Sequence, residues 1–348
     1  MNTRIHETVE PTANDPPTPS LRCGIFGTHR SRVITLGLGS MIVLLAGADA
    51  LAWGPGTHVR LANDLMTHLW LLPASLGAML ARHTRLFLYG NVAADIVFAK
   101  KFSRIKQICH HWATGFSILH AARDDQERAF AYGYLSHLAA DTVAHNKFLP
   151  RQMALSRSTI RFGHLYWEVR ADGQIEPRYW AQLRGLLAHD YAGAESLLQN
   201  HLRETLLSFG TNQVVFQRIN LLVSMRSWRR SVSLWGRVSR WPLPGHVLAD
   251  YRSESLERMM DVLTRGADSV VLHEDPNGNS ALGYARAQRR QLRQMKRGRM
   301  NLRHVIGEAA ALHAPNPDAH ALLRHTAGWH PGVRATAIQG TVKSAATP

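Results

Sequence analysis

The stretch Tyr134-Leu-Ser-His137-Leu-Ala-Ala-Asp141-Thr-Val-Ala-His145 decides how this chain of 348 residues is read. It spells H-x3-D-x3-H inside an Ala-rich, apolar run. Residues four apart share one face of a helix, so the spacing predicts a helix with His137, Asp141 and His145 on one stripe. Leu138, Ala139, Ala140, Val143 and Ala144 lie between them and suit burial. Two imidazoles and a carboxylate on a buried face carry a desolvation cost unless something binds them. A divalent metal does so, because imidazole and carboxylate suit zinc. A hydrogen-bonded structural cluster, or a solvated edge, is the alternative for this motif taken alone.

Outward from that stretch the same spacing recurs. Val59 to Leu71, His110 to Arg123, Gln126 to His145, Trp180 to Leu206, Ser253 to Arg265 and Asn279 to Lys296 place apolar residues three and four apart. Alternating β-branched runs and two-residue hairpin signals are nearly absent, which points to an all-α, multi-helix bundle. Asp275-Pro276-Asn277-Gly278-Asn279 reads as a turn between helices, with His273-Glu274-Asp275 as capping chemistry. A hydrophobic content of 45% is enough for a sizeable core and excludes wholesale disorder. Lys and Arg total 41 against 25 Asp and Glu, a formal charge of +16, which argues for an anionic partner. Two cysteines exclude a disulfide-stapled scaffold and a cysteine-rich zinc module.

The N-terminal segment reads as an export leader. A polar, Pro-rich stretch with Arg22, Arg30 and Arg32 precedes the apolar run Val33 to Ala48, which is shorter than the roughly 20 residues a membrane span needs. Ala50-Leu51-Ala52 is a small-x-small cleavage pattern, so 1–52 is expected to be removed and Trp53 to become the new N-terminus; an uncleaved anchor is the alternative. Removal would take Cys23 and leave Cys109 alone. The protein would then be periplasmic or secreted.

Four further fragments carry candidate ligands. Gly163-His164-Leu-Tyr-Trp-Glu168 again sets a His and a carboxylate four apart, a pattern that equally fits a surface pair. Cys109-His110-His111-Trp112 opens a helix; adjacent histidines cannot both face inward, so one of them at most is a ligand. Asp95 is a carboxylate in the apolar run Tyr89-Gly-Asn-Val-Ala-Ala-Asp95-Ile-Val, unexpected in a core without a partner. Trp53-Gly-Pro-Gly-Thr-His58 follows the expected cut directly. A free α-amino group has a pKa of about 8 and can bind metal once deprotonated. With the Trp53 carbonyl it forms a five-membered chelate that His58 can close.

Together these fragments resemble the zinc-dependent phospholipase C family, which is related to the single-strand-specific zinc nucleases. The resemblance covers roughly Trp53 to Glu168, with the motifs in the same order. It implies a phospholipase C- or nuclease-type helical bundle around three zinc ions. Asp95, His110, His137 and Asp141 would hold one ion. Trp53, His58 and a shared Asp141 would hold the second, and His145, His164 and Glu168 the third. The implied activity is that of a zinc metallohydrolase cleaving phosphodiesters of phospholipid headgroups. Zinc would polarise a phosphoryl oxygen and lower the pKa of water to about 7. Asp95 would double as ligand and catalytic proton acceptor. The expected organisation is a leader (1–52), a zinc-dependent catalytic domain (53–200), a basic helical extension packed on it (201–311) and a flexible tail (312–348).

Two basic stretches bear on the partner. Arg226-Ser-Trp228-Arg229-Arg230-Ser-Val-Ser-Leu-Trp235-Gly-Arg237-Val-Ser-Arg240-Trp241 interleaves Trp with Arg. Trp prefers the water–lipid boundary and Arg meets anionic headgroups, which fits work at a membrane surface. The same interleaving serves nucleic-acid stacking, or an ordinary packing helix with a solvated basic side. Tyr284 to His304 carries eight Arg and Lys and no acid, suiting phosphate contacts or a solubilising face. The alternatives to a lipid hydrolase are therefore a single-strand nuclease, or a protein that keeps zinc for stability and binds a membrane or polyanion without catalysis.

Overall fold

In the computed structural model the described residues are 53–96, 108–156, 160–201, 209–297 and 303–316. They all belong to the unit Leu45–Pro348. The expected leader, most of the expected tail and the end of the Trp180 to Leu206 pattern lie outside them. Among the described residues the architecture is all-α, as the spacing predicts.

In chain order the helices are α1 Pro55–Met66, α2 Ala74–Arg82, α3 Thr84–Ala93, α4 Trp112–Ala121 and α5 Asp125–Val143. A π turn at Ala144–Phe148 leads into α6 Leu149–Ser156, then α7 Ile160–Asp172, α8 Pro177–Leu187 and α9 Ala192–His201. The remainder are α10 Phe209–Ser224, α11 Arg226–Val238, α12 Gly245–Arg265, α13 Asn279–Arg297 and α14 Arg303–Ala311.

The centre is α5, buried on all sides from Ala129 to Val143 apart from Tyr132. A helix apolar around its whole circumference belongs inside a bundle. Its start is fixed locally: Asp124 accepts a hydrogen bond from the Glu127 N–H at 2.8 Å, and Glu127 accepts one from the Arg123 N–H at 2.8 Å. The tightest neighbour is α3, which crosses at two glycines. A Cβ on Gly90 would lie 2.1 Å from the Phe130 carbonyl oxygen, and one on Gly133 would lie 2.1 Å from that of Phe87. Side chains at either position would force the helices apart. Their absence brings the C-terminal half of α3, which carries Asn91, and Asp95 just past its end onto the histidine stripe of α5. On its other side α5 packs against α12.

Two sequence expectations are corrected. The Trp180 to Leu206 pattern is not one helix, because it breaks between α8 and α9, where the Asp190 carboxylate accepts a hydrogen bond from the Ala192 N–H at 3.0 Å. The second concerns the α5 stripe. After Val143 the helix widens into a π turn, with the Leu149 N–H reaching back to Ala144. Pro150 accounts for this: it has no N–H to offer the Asn146 carbonyl four residues back. That carbonyl instead accepts a hydrogen bond from the His313 ring at 3.2 Å. His145 sits in the widened turn, four residues beyond Asp141, and is buried.

Candidate metal centre

Five side chains from four segments converge at the C-terminal halves of α3 and α5. His137 and Asp141 come from α5, Asp95 from the end of α3, His58 from the first turn of α1, and His110 from a 3₁₀ turn at Ile108–His110. The Nε2 atoms of His58 and His137 lie 3.2 Å from different oxygens of Asp141. His110 Nε2 lies 3.3 Å from Asp141, 3.2 Å from Asp95 and 3.1 Å from His137 Nε2. His137 Nε2 is 3.9 Å from Asp95. The His58 and His137 rings stack, with centroids 3.9 Å apart.

His110 is buried while His111 is exposed, so the structure turns His110 inward and settles which of the neighbours joins the cluster. Two groups have ligand atoms close enough to share an ion: His58, His137 and Asp141, and Asp95, His110 and His137.

The second shell of contacts sets the tautomer of His137. Its Nδ1 donates to the Asn91 carbonyl at 2.7 Å, which leaves the Nε2 lone pair facing the cluster. Asn91 can accept because it lies in the last turn of α3, where carbonyls have no helical partner. Neither oxygen of Asp141 and neither ring nitrogen of His58 makes a hydrogen bond of ordinary geometry, although all are buried. Such atoms are costly unless a cation satisfies them, and this donor set of neutral imidazoles and carboxylates is that of zinc. Burial alone would push the Asp141 carboxyl up, but the imidazoles of His137, His110 and His58 outweigh it and hold it well below the usual carboxylate range. Burial, with His137 adding to it, lowers the pKa of His58, which keeps that ring neutral and able to ligate.

The remaining candidates sit beside the cluster. His145 faces His164 of α7, ring centroids 5.3 Å apart, and Glu168 lies one turn further along α7, also buried. His164 Nε2 is buried without a hydrogen bond, and its pKa is held well below the ordinary value by burial first and His145 second. Trp53 leads into α1. Its indole stacks on Phe148 and donates to the Ser255 hydroxyl at 3.2 Å. One turn later the His58 N–H bonds the Gly54 carbonyl at 3.1 Å, which places the Trp53 backbone next to the His58 turn.

Several positioning residues escaped the sequence reading. Asp172, the last residue of α7, accepts hydrogen bonds from the Gly56 N–H (3.0 Å), the Thr57 N–H (2.9 Å) and the Thr57 hydroxyl (2.6 Å). It thereby clamps the turn that carries His58. A Cβ on Gly54 would lie 2.3 Å from Asp172 Oδ2, so only glycine allows this approach. Burial pushes the Asp172 carboxyl up to about 6 despite those donors.

The 275–279 turn does cap α13, with Asp275 accepting from the Asn279 N–H at 3.1 Å. It also braces the centre. Asn277 donates to the His110 carbonyl at 2.9 Å, Trp112 donates to the Glu274 carbonyl at 2.9 Å, and Asn146 donates to the Asp275 carbonyl at 3.0 Å. Gly278, at φ 60°, lies so close to His145 that a Cβ would come within 2.5 Å of that residue's Cβ. The Asn-Gly pair was the available signal, and it reads as a turn from sequence alone.

Residues 57–210 match the family described as zinc dependent phospholipase C, so that stretch of the chain is similar to this family. Among its described residues that stretch is all-α, and His58, His137 and Asp141, with Asp95 and His110, form groups that could hold metal. No curated protein and no solved structure matches the chain.

Proposed function

We propose that the protein is a phospholipase C-type phosphodiesterase that hydrolyses phospholipid headgroups with zinc held at the cluster. The observation that carries this reading is the convergence of three imidazole Nε2 atoms on two buried carboxylates, with the Asp141 oxygens lacking ordinary hydrogen bonds. Asp95, His110, His137 and Asp141 would hold one ion. His58 and the shared Asp141 would hold a second with the amine and carbonyl of Trp53, once cleavage exposes them. His145, His164 and Glu168 would hold a third. Zinc there supplies Lewis acidity, which polarises a phosphoryl oxygen and acidifies water near neutral pH.

The chain's own residues supply position and proton transfer. The Asn91 carbonyl fixes the His137 tautomer, and Asp172 fixes the His58 turn. Asp95 is 8% exposed, more open than His58, His110, His137 or Asp141. It is therefore the carboxylate best placed to meet substrate water and accept its proton. Processing after Ala52 and export complete the reading, since the site needs a terminal Trp53.

The test combines N-terminal sequencing, metal analysis and headgroup release from phosphatidylcholine by exported protein, before and after Asp141→Asn. We expect a chain beginning at Trp53 with about three zinc ions. The substitution should deplete metal and cut kcat/KM by at least about a hundredfold. Full metal retention in Asp141→Asn would remove the shared-ligand role. Release of nucleotides from single strands instead of headgroups would make the protein a nuclease. Unfolding on chelation with no phosphodiester ever cut would leave zinc a structural part only.

A further inference from the structure

The helices α10 and α11 carry large apolar side chains on both their inner and outer faces. On α10 the residues facing the protein are Phe216 and the half-buried Val223, together with Asn212, Asn220 and Ser224, all three buried. The outer face carries Val214, Arg218, Leu221 and Leu222, at spacings of four, seven and eight from Val214, and the exposed Met225 follows just past its end. That is the apolar stripe of an amphipathic helix, turned to solvent. The buried polar groups are locally satisfied: Asn220 donates to the Phe216 carbonyl at 2.9 Å, and the Ser224 hydroxyl donates to that of Leu221 at 2.7 Å.

Helix α11 continues the pattern. Trp228 and Val232 are buried, while Leu234 and Val238 are 61% and 81% exposed on one stripe with Arg230. Exposed large apolar side chains in a run mark an interaction surface. The charge identifies the partner. From 205 to 249 there are six arginines and no acid. Arg226, Arg230 and Arg237 flank the apolar residues on the exposed side of α11. Apolar side chains ringed by arginine, with Trp235 half out, match a bilayer that carries anionic headgroups.

The surface is joined to the centre by α7. His164 and Glu168 lie on one side of α7. Tyr166, Arg170 and Gly173 lie on the opposite side, at 100° per residue. That second side receives α11: Tyr166 meets Trp235 at 5.1 Å between ring centroids, and a Cβ on Gly173 would lie 2.8 Å from Val232. Arg170 locks the junction, donating to the Tyr166 hydroxyl at 2.6 Å and to the Trp241 carbonyl at 3.2 Å. A single helix width separates the exposed hairpin from the candidate ligands.

We propose that α10 and α11 dock the protein on an anionic phospholipid bilayer. Val214, Leu221, Leu222, Met225, Leu234 and Val238 enter the acyl boundary, and the arginines meet headgroup phosphates. In naming a membrane as the partner, this rests on the phospholipid reading of the metal centre.

The test uses the full chain and cosedimentation with vesicles of phosphatidylcholine, with and without phosphatidylglycerol. The wild type should sediment with the anionic vesicles and release as ionic strength rises. Leu222→Asp, Leu234→Asp and Val238→Asp combined should weaken that binding by about tenfold or more. Helical content, zinc content and cleavage of a water-soluble short-chain phosphodiester should stay as in the wild type. Val238→Asp alone, at the most exposed position, gives a smaller loss in the same direction. Equal sedimentation of wild type and triple variant would overturn the proposal. So would absence of wild-type binding, or a variant whose one change is loss of self-association in sedimentation velocity. Binding without any phosphodiester cleavage would uphold the docking surface and sink the hydrolase reading; cleavage of soluble substrate without vesicle binding would do the reverse.

Discussion

The α3–α5 pair and the α10–α11 hairpin break the same rule in opposite directions. At the first, His137, Asp141 and Asp95, joined by His58 and His110 from neighbouring segments, are buried where apolar side chains belong. In the second, apolar side chains face water while Asn212 and Ser224 are fully enclosed. Among the described residues the Asp141 oxygens and the His58 ring nitrogens make no hydrogen bond of ordinary geometry, and Leu221, Leu222, Leu234 and Val238 stand exposed. In both places the sequence departs from the pattern that stability alone favours, which is why we propose a cation for the inner site and a bilayer for the outer one.

If the inner departure is a metal site, chelation produces the largest effect. Removing zinc should abolish hydrolysis and lower the melting temperature, because the Asp141 and His58 atoms are then buried without compensation. A melting curve identical with and without chelator would break the comparison on its inner side. Next in size is the helix crossing. Gly133→Ala sets a methyl 2.1 Å from the Phe87 carbonyl, which cannot swing away. We expect a loss of about 3 kcal/mol in urea unfolding, with reduced zinc content as Asp95 is drawn from the α5 stripe. A variant as stable as the wild type would show that the two helices can part freely.

The clamp on α1 gives a pH signature. The folded-state pKa of Asp172 is raised from 3.8 to about 6, so the native protein holds a proton that the unfolded chain releases. Its contribution therefore falls as pH rises from about 4 to about 6, by roughly 2–3 kcal/mol, and stays low above that window. Wild-type stability measured against that of Asp172→Asn should show this slope; a constant difference across the window would contradict it. The smallest effect belongs to Asn277→Ala, which removes one hydrogen bond to the His110 carbonyl. About 1 kcal/mol and a severalfold drop in kcat/KM are expected, with metal content kept.

The helical class and the cluster around His137 were legible in the sequence because both rest on local spacing. Four-residue intervals put His137 and Asp141 on one face, and a lone Asp95 in an apolar run signals a partner elsewhere. His110 against His111 was not decided, since the choice depends on a 3₁₀ turn and on Asn277, which is remote in the chain. Asp172 reads as an ordinary helix-terminal acid until its contact with the Gly54 turn is seen. The basic stretch from Tyr284 is only partly a solvated face: Arg286 and Arg290 are exposed, while Arg289 is buried beside Leu282, Ala285 and Leu292 on the packed side of α13. Its Arg299 lies outside the described residues. The outward stripe of α10 has the periodicity of a core helix, and periodicity does not say which side is in.

Pro150 shapes the helix that carries His145. An imino acid, unable to give a proton to Asn146, makes the helix take a longer stride after Val143. Reinstating that proton with Pro150→Ala would let the coil resume its ordinary pitch. The path of the chain at one corner of the centre is thus written in a ring of carbon atoms that a catalogue of ligands would omit.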